Sequence, residues 1–352
     1  MSKFWSQRTH ELDPYTPGEQ PQDTQYIKLN TNENPYPPSP LALAAMQQAV
    51  SEDLRLYSDP NANKLKQAIA DFHQVDISNV FVGNSSDEVL AHSFAALLNH
   101  DKPLLYPDIS YSFYPSYIKL FGINAKAIPL DKDLCIHFDD YAQDNGGIVF
   151  PNPNAPTGIA VSLESIETLA QDNPNSVILI DEAYVDFGAD SAIPLTQKYP
   201  NLLVVQTFSK SRSLAGLRLG FAIGSAELVD GLERVKNSFN SYPIDRIAIE
   251  GGTASIQDKT HFEESCQKII NTRQKTSDAL KELGFHILPS ASNFVFASHD
   301  NIPAEALYLA LKKQGVLVRY FKKPRIDNYL RITIGTDKEM AVLIEKLKSI
   351  IS

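Results

Sequence analysis

Four short polar motifs in this chain each follow a run of apolar residues, and they contain residue types that can do chemistry. The motifs are NSSDE after NVFVG, PNPNAPTG after GIVF, DEAY after SVILI, and TFSKSRSLAGLR after LLVVQ. In open α/β sheets, ligands bind outside the carboxyl ends of the strands. If the apolar runs are neighbouring strands, the motifs lie along one sheet edge and together can hold one ligand.

Lys210 lies between Ser209 and Ser211, directly after the last of these runs. For a lone lysine in a loop, a solvated surface residue is the favoured interpretation. At the end of a buried strand, the alternative is a Schiff-base lysine, whose amine reacts only when deprotonated, a state promoted by desolvation and a nearby cation. Arg218 supplies such a cation, and its forked donors also suit a phosphate ester.

Asp181 ends the apolar run SVILI. An acid at this place is, taken alone, more often the cap of the next turn. A carboxylate at a ligand-binding edge is also the counter-charge that a pyridinium nitrogen requires. Tyr184 follows three residues later and can reach the same ligand.

The segment GNSSDEVL is a typical helix start, with small polar residues followed by acids. Simple N-capping is the favoured interpretation for this motif alone. The same geometry makes an anion site, to which Ser85 and Ser86 add hydroxyl donors. A ligand with an aldehyde, a pyridine nitrogen and a phosphate would use all of these features, and pyridoxal 5'-phosphate (PLP) has all three.

The elements that must position these residues alternate between apolar runs and helical patterns, which indicates an α/β fold. Continuous apolar strands between helices predict a large domain with a mainly parallel, helix-covered sheet. The pattern changes after about Gly251, where a long charged helix and alternating strands predict a smaller α+β domain. The predicted division is an N-terminal arm (1–40) packing on the small domain or a partner subunit, a cofactor domain (41–255) and a C-terminal domain (256–352).

Composition excludes several classes of protein. The 352 residues carry a net charge of −10 without a basic stripe, which argues against nucleic-acid binding. No apolar stretch approaches a membrane span, and the N-terminus lacks a signal-peptide pattern, so a cytoplasmic location is expected. Neither the two cysteines nor the eight histidines have metal-ligand spacing, so no metal is predicted.

The motifs PNPNAPTG, DEAYVDF and TFSKSRSLAGLRLGF resemble those of the PLP-dependent aminotransferases of fold type I, and the resemblance covers nearly the whole chain. Within that group, LDPYTPGEQ, KLNTNENPYPPSP, NSSDEVL and YLRITIGT look most like the histidinol-phosphate aminotransferases. The resemblance implies amino transfer between glutamate or 2-oxoglutarate and histidinol phosphate or imidazole-acetol phosphate, in histidine biosynthesis.

The resemblance also implies a role for each motif residue. Lys210 would bond to the cofactor and move the proton, Asp181 would pair with the pyridinium nitrogen, and Tyr184 would hydrogen-bond the phenolic oxygen. The phosphate would be held by Ser85, Ser86, Asp87 (through backbone amides), Ser209 and Arg218. Tyr111 would stack on the ring. Tyr57 would reach the phosphate of the other subunit's cofactor, which makes a homodimer with shared active sites part of the prediction.

One motif departs from the family pattern. The broader group has an asparagine immediately before PTG, where it contacts the ring oxygen, whereas this chain has Ala155. The adjacent Asn154 is the candidate replacement through a shifted loop.

Substrate binding is predicted on the strand YLRITIG, where Arg331 shares a polar face with Tyr329 and Thr333. A surface arginine is the plainer interpretation. By the resemblance, Arg331 would bind the anionic end of the substrate, Arg319 would be a second phosphate ligand, and Tyr15 would close over the substrate. The run FKKPR (Phe321 to Arg325) is expected to be a solvated charge run, with a raised positive potential near this site as the alternative.

Several alternatives remain open. An aromatic amino acid aminotransferase and a phosphothreonine decarboxylase share this fold. A catalytically silent PLP-fold binding module is the alternative from another class, and it is disfavoured because Lys210 and Asp181 are both present. A nucleotide-dependent oxidoreductase ranks last, since neither GxGxxG nor a P-loop occurs.

Overall fold

The computed structural model describes residues 2–14, 18–20 and 26–351. In these ranges the helices are α1 (Gln7–Glu11), α2 (Pro40–Ala49), α3 (Asn63–His73), α4 (Ser85–Leu97), α5 (Tyr114–Phe121), α6 (Leu163–Asp172), α7 (Ala226–Phe239), α8 (Arg246–Gln257), α9 (Lys259–Glu282), α10 (Ala304–Lys313) and α11 (Asp337–Ile351). The strands are β1 (Ile27–Leu29), β2 (Val80–Asn84), β3 (Leu104–Pro107), β4 (Ala125–Ile128), β5 (Gly147–Pro151), β6 (Ile178–Asp181), β7 (Leu202–Thr207), β8 (Leu219–Gly224), β9 (Phe285–Ile287), β10 (Phe294–His299), β11 (Val316–Tyr320) and β12 (Leu330–Thr333).

The larger sheet has the strand order β2-β8-β7-β6-β5-β3-β4. Every neighbouring pair is parallel except the two that involve β8, which runs opposite to β2 and β7. Because β8 reverses, β2, β5, β6 and β7 all end at one edge of the sheet, and β8 begins there. Every residue of β5, β6, β7 and β8 is buried, as expected for strands covered on both faces.

Helices cover both faces of this sheet and pack their apolar sides against it. Three of them begin at a polar residue that caps the helix N-terminus. Ser162, Ser225 and Asp245 cap α6, α7 and α8, each by accepting a backbone N–H with its side chain. One apolar cluster contains Ile180 and Val204 and the other contains Leu179 and Val205, so alternate residues of β6 and β7 enter opposite layers. The layers hold the strand ends rigidly in place.

The smaller sheet has the order β1-β11-β12-β10-β9 and is antiparallel except for the pairing of β1 with β11. Strand β1 lies in the segment predicted as an extended arm, and it hydrogen-bonds to the C-terminal sheet. Its three residues, preceded by polar residues, do not form a recognisable apolar run. Strand β4 was likewise missed, since Lys126 and Ala127 are exposed at the edge of the large sheet.

No helix within the described ranges is long and apolar enough to cross a membrane.

Candidate active site

Two cavities meet at Lys210 in the cleft between the sheets. The Asp181 cavity, of about 240 Å³, is lined by residues that include Ser85, Ser86, Asp87, Asp181, Thr207, Ser209 and Arg218. The Arg331 cavity, of about 230 Å³, is lined by residues that include Asn30, Asn32, Asp108, Ser110, Arg319, Lys323 and Arg331. Both cavities share a wall formed by Thr31, Tyr111, Ala155, Tyr184 and Lys210.

Asp181 is the last residue of β6 and is 4% exposed. Its Oδ2 accepts a hydrogen bond from the Tyr114 hydroxyl at 3.0 Å, whereas Oδ1 is buried without a hydrogen-bond partner among the described residues. Burial raises the pKa of Asp181 to about 6, although the Tyr114 hydroxyl acts in the opposite direction. A cation within hydrogen-bond distance of Oδ1 would stabilise the carboxylate and lower this pKa.

The opposite end of the Asp181 cavity is the N-terminus of α4. Arg218 Nη2 lies 3.0 Å from Asp87 Oδ2, and the Ser85 hydroxyl donates to the same oxygen at 3.0 Å. A Cβ placed on Gly220 would come within 2.3 Å of the Ser86 backbone nitrogen, so β8 can pass this close only with glycine at that position. The N-terminus of α4 and the Arg218 side chain therefore line the same end of the cavity, and a helix N-terminus beside an arginine is an anion-binding arrangement.

Tyr111 and Tyr184 form the side walls. The Tyr111 hydroxyl donates to Asp87 Oδ1 at 3.0 Å, and its ring meets that of Tyr114 edge-on at 5.6 Å. Burial, followed by the Asp87 charge, raises the pKa of Tyr111 well above its ordinary value, so this phenol stays protonated. The Tyr184 hydroxyl accepts a hydrogen bond from Asn32 Nδ2 at 3.0 Å.

Lys210 is half-buried where the two cavities meet. Its Nζ lies 3.4 Å from the Thr31 carbonyl oxygen and 5.7 Å from the centre of the Tyr184 ring. Its backbone carbonyl accepts a hydrogen bond from Asn34 Nδ2 at 3.0 Å. The loop after β7 is thus held from the side of the N-terminal segment, and the amine is left facing both cavities.

Arg319 and Arg331 lie directly opposite each other on β11 and β12, and both line the Arg331 cavity. Like charges directly opposite on a sheet repel each other, and an anion bound beside both arginines would relieve this repulsion. Arg331 donates to the Asn30 carbonyl at 2.9 Å and stacks on Phe294 and Phe321 at 5.4 and 5.6 Å. These contacts hold one guanidinium at the cavity wall.

Not every predicted site residue reaches the cavities. Asn154 is buried and donates to the Ile109 carbonyl and the Thr157 hydroxyl at 3.0 and 3.2 Å, while Ala155 takes the place on the shared wall. The structure therefore does not bring Asn154 to either cavity. Tyr57 is 82% exposed and lines neither cavity of its own chain. Tyr15 lies outside the described residues.

Other cavity residues were not singled out from the sequence. Thr207 stands two residues before Ser209, and this period-2 spacing along an extended chain was the signal that could have found it. Tyr114 is one of several tyrosines in the stretch DISYSFYPSY, and nothing local distinguishes it. The charged residues of the run FKKPR are exposed, as predicted, and Lys323 also lines the Arg331 cavity, while Arg325 bonds to Asp108 Oδ2 at 2.9 Å.

Comparison with known proteins decides the family. The family described as aminotransferase class I and II matches residues 24–347. The chain belongs to the class I and II aminotransferases. It is 57% identical over 351 residues to histidinol-phosphate aminotransferase 1 of Hydrogenovibrio crunogenus, covering 100% of this chain and 99% of that protein. It is 56% identical over 347 residues to histidinol-phosphate aminotransferase 1 of Pseudomonas aeruginosa, covering 99% of both.

A solved structure extends this comparison to the fold. The histidinol-phosphate aminotransferase of Sinorhizobium meliloti, in complex with pyridoxal-5'-phosphate, is similar with a TM-score of 0.88. The match covers 100% of this chain and 98% of that one, at 23% sequence identity. The predicted α/β fold class of the type I aminotransferases is confirmed, and so is the predicted family. As a member of this family, the aminotransferase is a PLP-dependent transferase.

The described residues fit this cofactor. A pyridine nitrogen requires a carboxylate, and Oδ1 of Asp181 is a buried acceptor without a protein partner among the described residues. A phosphate requires hydrogen-bond donors and a cation, and the cavity is lined by the serines at the start of α4, by Ser209 and by Arg218. An aldehyde requires an amine, and Lys210 lies on the cavity wall.

Proposed function

We propose that this aminotransferase moves an amino group between glutamate or 2-oxoglutarate and histidinol phosphate or imidazole-acetol phosphate, a step of histidine biosynthesis. The observation that carries the proposal is the pair Arg319 and Arg331, which face each other on adjacent strands beside Lys210. Relatives named histidinol-phosphate aminotransferase, at 55–57% identity, support the same substrate. One site must then accept a carboxylate and a phosphate ester, and arginine binds both with the same fork.

The cofactor would be held in the Asp181 cavity by its two ends. Asp181 would receive the ring nitrogen, and Tyr184 would donate to the ring oxygen. The phosphate would be bound by Ser85, Ser86, Asp87 (through backbone amides), Ser209 and Arg218. When bound, PLP supplies an electron sink for the carbon from which the substrate loses its proton.

Lys210 is proposed to hold the cofactor and to carry the proton during amino transfer. Lys210 lines both cavities, so its amine would be within reach of a group bound in either. Tyr111 would cover one face of the ring, which keeps water from that side. The Asp87 carboxylate, which accepts from Tyr111 and pairs with Arg218, would hold both side chains at the cofactor end.

The substrate is proposed to bind in the Arg331 cavity, with its anionic end between Arg319 and Arg331. Lys323 adds a third cation to the same wall, and its Nζ is fixed to the Asp108 carbonyl at 2.6 Å. Tyr15 is proposed to close over the substrate, and the described Gly18 near it in sequence lines this cavity. The remaining substrate atoms would then extend towards Lys210.

A homodimer is part of the proposal. Tyr57 projects from its own chain, stacked on Tyr242 at 4.7 Å, and is available to a second copy. Other large apolar side chains are also exposed: Val50, Leu54 and Leu56 near Tyr57 in sequence, Leu41 and Leu43 on α2, and Phe239 at the end of α7. Exposed apolar side chains in such numbers are typical of a protein that has a subunit interface. We also propose a cytoplasmic location and retain the division into an arm (1–40), a cofactor domain (41–255) and a small domain (256–352).

Mixing two inactive variants tests the shared site. In a hybrid of Lys210→Ala and Tyr57→Ala chains, one site contains both an intact Lys210 and a partner's intact Tyr57. The mixture, after subunit exchange, should regain activity above the sum of the separate variants. Activity equal to that sum, with hybrids shown to form, would contradict a shared site.

Substrate choice is tested by comparing kcat/KM for histidinol phosphate, phenylalanine and phosphothreonine. Histidinol phosphate should be preferred by at least about 100-fold, because a site built to bind a polar group discriminates strongly against ligands that lack it. Arg319→Gln should reduce turnover of histidinol phosphate more than that of phenylalanine. Arg234→Gln, which removes the same charge from an exposed position on α7, is the matched control.

Each alternative has its own outcome in this experiment. Preference for phenylalanine would favour an aromatic aminotransferase, and release of carbon dioxide from phosphothreonine would favour the decarboxylase. A cofactor-loaded protein that exchanges amino groups with no keto acid would favour a silent binding module. Equal losses on both substrates in Arg319→Gln would refute the phosphate role of Arg319.

A further inference from the structure

The shared wall of the two cavities contains few groups that can donate to a ring oxygen. Position 155 on this wall is an alanine, whose methyl group cannot donate. The amide of Asn154 is already committed to the Ile109 carbonyl and the Thr157 hydroxyl. The other two hydroxyls of the wall, those of Thr31 and Tyr111, donate to Glu33 and Asp87. Tyr184 is therefore the hydroxyl of this wall that can supply the donor, and the direction of its proton matters.

Asn32 is the residue that determines this direction. It is 1% exposed, and its Nδ2 lies 3.0 Å from the Tyr184 hydroxyl oxygen. Thr333 Oγ1 accepts the Asn32 backbone N–H at 3.0 Å and donates its own proton to Asn32 Oδ1 at 2.9 Å. Since Oδ1 is engaged by Thr333, the other end of the amide faces Tyr184.

The orientation of the amide has a chemical consequence. An amide nitrogen only donates, so the Tyr184 oxygen accepts this bond and its own proton points elsewhere. No other hydrogen bond of this hydroxyl is found among the described residues. The proton of Tyr184 is therefore free to be donated into the cavity that Tyr184 lines.

We propose that Asn32 is a positioning residue, which donates to the Tyr184 hydroxyl and thereby directs the Tyr184 proton towards the phenolic oxygen of the cofactor. Asn32 thus supports a hydroxyl donor on a wall that has alanine at position 155. It is well suited to this place, because its backbone has a positive φ of 57° that asparagine tolerates better than most residues. The Asn293 amide donates to the Asn32 carbonyl at 3.0 Å and holds the backbone there.

The same contacts connect the cofactor side to the substrate side. Thr333 and Arg331 are on the same face of β12, and Arg331 binds the Asn30 carbonyl two residues before Asn32. The strand that carries a proposed substrate ligand therefore also holds the amide that orients Tyr184.

The inference rests on the proposed function, in which Tyr184 lies beside the ring oxygen. The experiment tests the role of Asn32 separately from the role of Tyr184. The chromophore that forms when Lys210 holds the cofactor changes its visible absorption as it loses its proton. Before it loses its proton, the chromophore stabilises its negatively charged ring oxygen with that proton. After the loss, an external hydrogen-bond donor such as Tyr184 would stabilise the oxygen instead, so the donor favours the deprotonated form. Loss of the donor should raise the midpoint of this titration, which is a readout independent of activity.

The variants are chosen to keep the backbone intact. Asn32→Gly removes the amide without strain at positive φ, and should raise the midpoint by about half to one pH unit. Asn32→Asp keeps the shape but can only accept from Tyr184, so it should raise the midpoint further. Gln74→Gly, at an equal φ of 57° on the end of α3, is the matched control and should leave the midpoint unchanged.

A double variant identifies the path of the effect. Tyr184→Phe should raise the midpoint, and adding Asn32→Gly to it should produce no further shift. Thr333→Val leaves Asn32 Oδ1 without its donor and should shift the midpoint in the same direction. It is the variant that tests the role of Asn32 if Asn32→Gly does not fold.

Three results would overturn the inference. If Tyr184→Phe shifts the midpoint and the Asn32 and Thr333 variants do not, the role of Asn32 is refuted while that of Tyr184 stands. Additive shifts in the double variant would mean that Asn32 acts independently of Tyr184. An unshifted Tyr184→Phe would refute the proposed role of Tyr184, and the role of Asn32 with it.

Discussion

Asp181 should destabilise the cofactor-free protein at neutral pH, and the size of this effect can be worked out. Its side chain is buried, with one carboxylate oxygen bonded to Tyr114 and the other unpartnered among the described residues. Burial raises its pKa from 3.8 to about 6. The folded protein therefore holds the Asp181 proton more tightly than the unfolded chain does.

The sign of the pH dependence follows from this difference. The stability contributed by the protonated side chain is fully present below the unfolded pKa, near pH 4, and is lost as the pH rises through about 6. With about 1.4 kcal/mol for each pH unit between the two pKa values, the full loss is about 3 kcal/mol. Between pH 5 and pH 8 the same relation gives a loss of about 1.4 kcal/mol.

Asp181→Asn removes this titration while keeping the shape of the side chain. The free energy of unfolding of the cofactor-free variant, relative to the unchanged protein, should rise by about 1.4 kcal/mol between pH 5 and pH 8. An unsatisfied amide in the variant adds an offset, but the offset is the same at every pH. Glu182, whose pKa burial raises to about 7, titrates in both proteins and largely cancels in the comparison.

Urea unfolding of the cofactor-free proteins at pH 5, 6, 7 and 8 measures this difference. Asp144→Asn, which removes one negative charge from the surface, controls for the change in net charge. In the cofactor-loaded enzyme the charged Asp181 should stabilise the protein rather than destabilise it, because the carboxylate then has a cationic partner. Transamination should fall by about 10²- to 10³-fold in Asp181→Asn, as expected when one member of a buried ion pair is removed. Parallel pH curves for the variant and the unchanged protein would refute the reasoning about burial.

Three further outcomes are expected. Gly220→Ala places a methyl group against the Ser86 nitrogen and should lower stability by about 1–3 kcal/mol through overpacking and weaken phosphate binding, measured by melting with and without inorganic phosphate. An unchanged melting temperature would contradict the close approach. Lys210→Ala should reduce transamination by at least about 10³-fold, and borohydride should leave no label on the protein; activity near that of the unchanged enzyme would refute its role. Arg325→Ala removes bonds to Asp108 and to two backbone carbonyls, and should raise KM more than it lowers kcat; a change confined to kcat would argue against a role in shaping the substrate cavity.

The sheet edge could be predicted from the sequence because its signals are local. β5, β6 and β7 each contain a continuous apolar run, and polar residues occur at the end of the strand or directly after it. A strand end is therefore visible in the sequence, and the parallel arrangement places Asp181 and Lys210 near one another without further information. Both residues line the same cavity.

The partners of these residues could not be predicted in the same way. Tyr111, Tyr114 and Tyr117 occur within seven positions of one another, and their roles differ only through tertiary contacts. Tyr114 bonds to Asp181, while Tyr111 and Tyr117 bond to the Asp87 side chain and carbonyl. Sequence spacing alone does not distinguish these contacts.

The segment 30–34 shows most clearly how a site can depend on contacts that the sequence does not reveal. In the sequence it is a short polar stretch within forty residues rich in proline and polar residues, a composition that predicts an extended arm. In the folded protein its amides and carbonyls contact a residue of each functional group: Arg331 at Asn30, Tyr184 at Asn32 and Lys210 at Asn34. An extended segment satisfies few of its polar groups internally, so these groups are available to bond to neighbouring elements. The segment therefore connects the proposed substrate arginine, the proposed cofactor tyrosine and the lysine loop through its own polar groups.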